Sequence, residues 1–241
     1  VMFAWEKIPL SITAMVVAVG LHLSGVLSAK EAFAGFVDPN VLLFMGMFVI
    51  GEAFFATGVA VGVGNVVHKF AKTETSLLVA VMMITGILSG FLSNTGTAAV
   101  LIPVIIGICK KSGFKQTKLL MPLVFAAAMG GNISLIGAPG NMIAQAGLQQ
   151  AGLGSFNFFD YGLVGLPILI VGTIFYATIG KRFLPDAPSH QPDGAFEGND
   201  DYSHVPSWKK WTAAIVLILT VVAMIFEKQL GVKLYVSAWI G

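Results

Sequence analysis

Residues Thr75 to Cys109 read TSLLVAVMMITGILSGFLSNTGTAAVLIPVIIGIC, and no Asp, Glu, Lys or Arg interrupts them. As one α-helix the run would be about 50 Å long at 1.5 Å per residue, well beyond a hydrocarbon core of roughly 30 Å. Its middle, Ser93-Asn94-Thr95-Gly96-Thr97, is polar and turn-prone. The limb that follows, Ala98 to Cys109, would reach only about 18 Å as a helix, too short to cross. Both flanks are basic, with His68, Lys69 and Lys72 before the run and Lys110, Lys111, Lys115 and Lys118 after it. Basic links favour the cytoplasmic side of a membrane. The simplest geometry keeps both flanks there. The run then dips in, turns at Ser93 to Thr97, and returns as a re-entrant hairpin.

The next uncharged run, Leu119 to Phe159, is interrupted differently. Leu119 to Ala128 is apolar, and Gly130-Gly131-Asn132-Ile133-Ser134-Leu135-Ile136-Gly137-Ala138-Pro139-Gly140-Asn141 follows. Glycine and proline at this density are costly in a regular helix. The pattern predicts one span over 119–150, broken near mid-membrane, with a second half-helix starting after Asn141.

Outward from these two runs, the composition agrees. The chain is 56% hydrophobic and 11% charged, whereas soluble domains carry about 25% charged residues. Further spans are expected over 8–28, 41–63, 161–180 and 211–227, each near the roughly 20 residues a crossing helix needs. The fold class is an all-α, multi-spanning helical bundle. Placing the hairpin flanks inside also places Lys7, Lys181, Arg182, Lys209 and Lys210 inside, leaving Lys30, Lys228 and Lys233 outside. The stretch 183–207, rich in Pro, Asp and His, reads as a solvent-exposed link. Both ends, Val1 and Gly241, read as cut, so a longer protein is expected. Cys109 is the one cysteine, which excludes an internal disulfide.

Non-helical backbone at membrane depth is tolerated only where it is buried or lines an aqueous cavity. Two breaks in succession therefore predict a shared cavity. Half-helices starting there point free N–H groups and the positive end of a dipole into it, which suits carboxylate or sulfate. Loop carbonyls and the Ser93 hydroxyl suit a small cation such as sodium. Ser, Asn and Gly also join helices to one another in membranes; two clusters, each breaking an overlong apolar run, favour the cavity.

At these residues the chain resembles a known family. Ser89-Gly90-Phe91-Leu92-Ser93-Asn94-Thr95-Gly96-Thr97-Ala98-Ala99 resembles the Ser-Asn-Thr signature of the divalent anion/sodium symporter family, and Gly137-Ala138-Pro139-Gly140-Asn141 is similar to its second signature. The resemblance implies one of two inverted repeats, with residues 1–182 as the first repeat, 183–207 as a cytoplasmic inter-repeat link and 208–241 as the start of the second. It implies transport of a dicarboxylate, citrate or sulfate with sodium as coupling ion, by a homodimer in the cell membrane. Substrate contacts would come from Ser93, Asn94, Thr95, Ala138, Pro139 and Asn141. Sodium would be held by Ser89, Ser93, Asn94 and Gly137. The chain departs from the family pattern at Ala138, where a hydroxyl is common, and at Gly140, where a second proline is common.

Glu52 lies mid-way along the span 41–63. An intramembrane acid is a functional candidate by default, but its sequence position lies outside the two breaks, and a hydrogen-bonded helix contact is the favoured reading. Alternatives remain open: anion exchange without sodium, a sodium/proton antiporter or metalloid exporter using Glu52, and an anion channel. No phosphate loop, zinc pair, nucleophile elbow or EF-hand spacing occurs, so neither an enzyme, a resident cofactor nor a nucleic-acid partner is expected.

Overall fold

In a computed structural model of the chain, the residues described are 9–59, 62, 73–184 and 205–241. The basic stretch His68 to Lys72, most of the link 183–207 and the N-terminal Lys7 lie outside them. All regular structure among the described residues is helical.

Contacts divide the chain into 1–42 and 43–241. The first unit holds α1 (Leu10–Leu23), α2 (Ala29–Ala32) and a 3-10 turn over Ala34–Val37. The expected span 8–28 is thus shorter as a helix. Ser28 opens α2 through a capping box with Glu31, and its hydroxyl and backbone N–H hold the exposed Glu31 carboxyl below the usual carboxylate range.

Helix α3 (Pro39–Ala56) begins at the unit boundary and carries most of its length in the second unit. It ends at Thr57-Gly58, where Gly58 takes a left-handed φ of 74°; residues 59 and 62 are helical again, and 60, 61 and 63, the end of the expected span, lie outside the described residues. The uncharged run then appears as two helices, α4 (Glu74–Ser89) and α5 (Asn94–Ser112), parted by Gly90 to Ser93. A Thr73–Ser76 capping box starts α4, and left-handed Gly113 ends α5. The two limbs fold back on one another. Leu77, Leu78, Val81 and Met82 near the start of α4 share a core with Ile105, Ile108 and Cys109 near the end of α5.

The stretch 119–150, expected as one broken span, forms α6 (Thr117–Gly130), a loop, and α7 (Pro139–Gln150). The second half-helix therefore starts at Pro139, with Asn141 inside its first turn. Proline is pre-organised for a helix's first position and loses no hydrogen bond there. Helix α8 (Gly162–Thr178), a 3-10 turn at Gly180–Arg182, α9 (Ser207–Ile225), α10 (Glu227–Leu230) and α11 (Leu234–Ile240) complete the chain.

Helices α4, α6 and α8 pack through small residues. A Cβ on Gly130 would meet Gly86 Cα at 2.5 Å, and one on Gly172 would meet Met129 Sδ at 2.5 Å. Lipid tails are as apolar as leucine, so association in a membrane rests on this kind of close backbone approach. The outward surface is apolar: Leu163 is 79% exposed, Val171 65% and Leu219 61%. Among the described residues α3 and α9 are each long and apolar enough to cross a bilayer.

Candidate functional site

The two interruptions meet. Helix α4 ends at Ser89, whose hydroxyl donates to the Ala127 carbonyl on α6 at 2.7 Å. The Ser134 hydroxyl, in the loop of the broken span, donates to the Gly90 carbonyl at the hairpin tip. The Leu135 N–H donates to the Phe158 carbonyl at 2.9 Å. Asn141 is buried, and its amide nitrogen donates to the carbonyls of Gly131 and Ser134, both at 2.9 Å. The Tyr161 hydroxyl donates to the Asn141 carbonyl at 2.9 Å. An irregular loop buried away from water must satisfy its peptide groups internally, and these side chains provide the partners.

Asn94 sits at the junction. One end of its amide lies 2.7 Å from Ser89 Oγ, 3.1 Å from the Gly137 carbonyl oxygen and 3.2 Å from the Ala127 carbonyl oxygen. With nitrogen at that end, the two N–H bonds of the amide are shared among these three acceptors. Gly131 leaves room for the group, since a Cβ there would come within 2.7 Å of Asn94 Nδ2.

Ser93 caps α5. Its hydroxyl accepts from the Gly96 N–H at 3.1 Å and its carbonyl accepts from the Thr97 N–H at 2.9 Å. The N–H groups of Asn94 and Thr95 have no partner among the described residues. They form the positive end of a long helix, an arrangement that favours anions.

A cavity of about 290 Å³ opens here, lined by Ser93 to Gly96, by Gly137 and Pro139, and by one face of α3. Its size is at the lower end of small-molecule sites, roughly 300–1,000 Å³. Helix α3 is seated on the hairpin tip. A Cβ on Gly96 would meet Phe55 Cε2 at 2.6 Å, and one on Gly51 would meet Leu92 at 3.6 Å.

The structure thus brings Ser89, Ser93, Asn94, Thr95, Gly137 and Pro139 together. Ser93, Asn94, Thr95, Gly137 and Pro139 line the cavity, whereas Ser89 stands behind Asn94. Ala138 and Asn141 are not in its wall. Ala138 precedes the first turn of α7, and Asn141 is turned into the loop, where its amide is spent on carbonyls. Glu52 lies outside the breaks in sequence but not in space. It lines the same cavity, because α3 is packed against the tip by Phe55, three residues further on. A uniformly apolar helix carries no pattern that says which way its one acid faces.

The chain is similar to known transporters along almost its whole length. A family described as citrate transporters (CitMHS) matches residues 1–239. An uncharacterized transporter of Escherichia coli K12, YfbS, is 33% identical over 195 residues, which is 80% of this chain and 32% of the relative. The sodium-dependent dicarboxylate transporter SdcS of Staphylococcus saprophyticus is 26% identical over 194 residues, 74% of this chain and 37% of that protein. A probable sodium/sulfate cotransporter 3 of Chlamydomonas reinhardtii is 27% identical over 168 residues, 66% of this chain and 19% of that protein. The chain spans about a third of the length of curated relatives it matches.

Proposed function

The chain belongs to the citrate transporter (CitMHS) family, and from that premise we propose that it forms the first of two inverted repeats of a sodium-coupled transporter for small divalent anions. The cargo class is dicarboxylate, citrate or sulfate. The names of relatives, a sodium-dependent dicarboxylate transporter and a sodium/sulfate cotransporter, support this class. In this reading α4 and α5 are a re-entrant hairpin, the protein is multi-pass in the cell membrane, residues 183–207 link the repeats on the cytoplasmic side, and two copies associate.

The observation that carries the reading is the Asn94 amide. Three oxygens, from Ser89, Gly137 and Ala127, converge on one end of it. With the amide nitrogen at that end the cluster is neutral and hydrogen-bonded. With the amide oxygen there, it joins three other neutral oxygens, the kind of donor set that a hard, desolvated cation takes. Rotating the amide also exchanges its outer atom. Oxygen inward turns the NH₂ group outward, where it joins the N–H groups of Asn94 and Thr95 as a donor for carboxylate or sulfate. Sodium behind Asn94 and an anion before it then favour the same orientation, and the ion adds one positive charge beneath the cargo. Linkage of this kind is reciprocal: each ligand tightens the other by the same factor. Ser93, Thr95 and Pro139 shape the anion side, while Ala138 and Asn141 support the loop from behind.

The test uses the full-length protein in proteoliposomes. Labelled succinate, citrate or sulfate should accumulate with an inward sodium gradient, and Asn94→Ala should abolish uptake while the protein still folds. The reading fails if no divalent anion enters with or without sodium. Uptake that needs anion inside and ignores sodium would instead identify an exchanger. The position of Glu52 on the cavity favours one second reading, a sodium/proton antiporter; sodium efflux driven by a pH gradient with no anion present would select it.

A further inference from the structure

We infer that Glu52 sets the charge of the anion that the cavity accepts. This rests on the anion-transport reading above and adds a selectivity element to it. Among the described residues lining the cavity Glu52 is the one with a charged side chain. It is exposed to that space, and no hydrogen bond or ion pair holds it to another described residue. Its neighbours on the same wall, Phe44, Phe48 and Phe55, are apolar.

An anion held at the start of α5 therefore shares a small, largely apolar space with a carboxylate. The attraction at Asn94 and Thr95 comes from dipoles and grows with the anion's charge, and so does the repulsion from Glu52. Across roughly 8–10 Å at an intermediate effective dielectric, the repulsion weakens binding by about fivefold for each unit of negative charge on the cargo. Glu52 consequently penalises a trianion more than a dianion, and a dianion more than a monoanion. It does so without touching the donors that recognise the carboxylate group. Glutamine has nearly the size and shape of glutamate, so a residue that merely shaped the cavity would leave the ratios of E52Q at their parent values. The pairing of donors with an opposing like charge is a form of specificity built by repulsion.

The experiment compares half-saturating concentrations of monomethyl succinate, succinate and citrate at mildly alkaline pH, using the full-length protein and its E52Q, E52A and E52D variants in proteoliposomes. Each comparison is a ratio within one variant, so the amount of folded protein cancels, and E52A serves where E52Q expresses poorly. The expected result is that E52Q and E52A raise the preference for citrate over succinate about fivefold, and that for succinate over its monoester about fivefold. E52D should retain the parent ratios. Equal changes for all three anions, or unchanged ratios, overturn the inference while leaving anion transport intact. Failure of the parent protein to take up any of them overturns the transport reading and this inference together.

Discussion

Asn94 and Asn141 are the same residue type and bond to the same loop, with opposite duties. Asn94 faces the cavity, and Asn141 holds two carbonyls that would otherwise be buried without partners. Asn141→Ala removes both donors and should destabilise the protein by about 1–3 kcal/mol. Thermal unfolding of the full-length variant in detergent should show a lowered midpoint. An unchanged midpoint with weakened anion affinity would mean that the side chain reaches the cargo after all. Ser93 and Asn94 were legible in the sequence, because polar residues interrupt an apolar run too long for one crossing, whereas Ser89 came only from the family resemblance. The division of labour between the two asparagines was not. It depends on where α7 starts, and Pro139 sets that start two residues before Asn141.

The hairpin and the broken span behave as one packed element. Gly86 and Gly130 lie backbone to backbone, and Ser89, Asn94 and Ser134 tie the tip to the loop. Gly130→Ala would force its Cβ against Gly86 Cα at 2.5 Å, and a peptide backbone cannot swing aside as a side chain can. Overpacking costs about 1–3 kcal/mol where side chains can adjust, so this substitution should lie at the upper end, read as a fall in unfolding midpoint with loss of uptake. Gly140→Ala is the control. Nothing lies within 4 Å of its added Cβ, and it is helical, so stability should hold or rise by up to about 1 kcal/mol. The existence of both breaks could be read from glycine, proline and run length. Their partners could not, since a glycine that permits a close approach looks in sequence like one that permits a turn.

For the whole molecule the decisive question is which side of the bilayer each link occupies. A hairpin that enters and returns places Thr73 and Lys115 on one face; a run that crosses places them on opposite faces. Cys109 is the chain's one cysteine and is buried, so this segment needs little alteration for cysteine mapping. T73C and K115C should both react with an impermeant thiol reagent from the cytoplasmic side, and K30C from the other. Labelling of T73C and K115C from opposite sides would refute the re-entrant arrangement. The all-helical class was legible from the apolar run lengths and composition together, whereas the approach of Glu52 to the cavity arises only when α3 settles its Phe55 on Gly96. The fastening of tip to loop through main-chain carbonyls has a last implication. A grip assembled from peptide groups keeps its shape when it travels, so it would hold its passenger equally well at either doorway. In the proposed carrier such a grip would leave the direction to the gradients of cargo and ion, the membrane potential included.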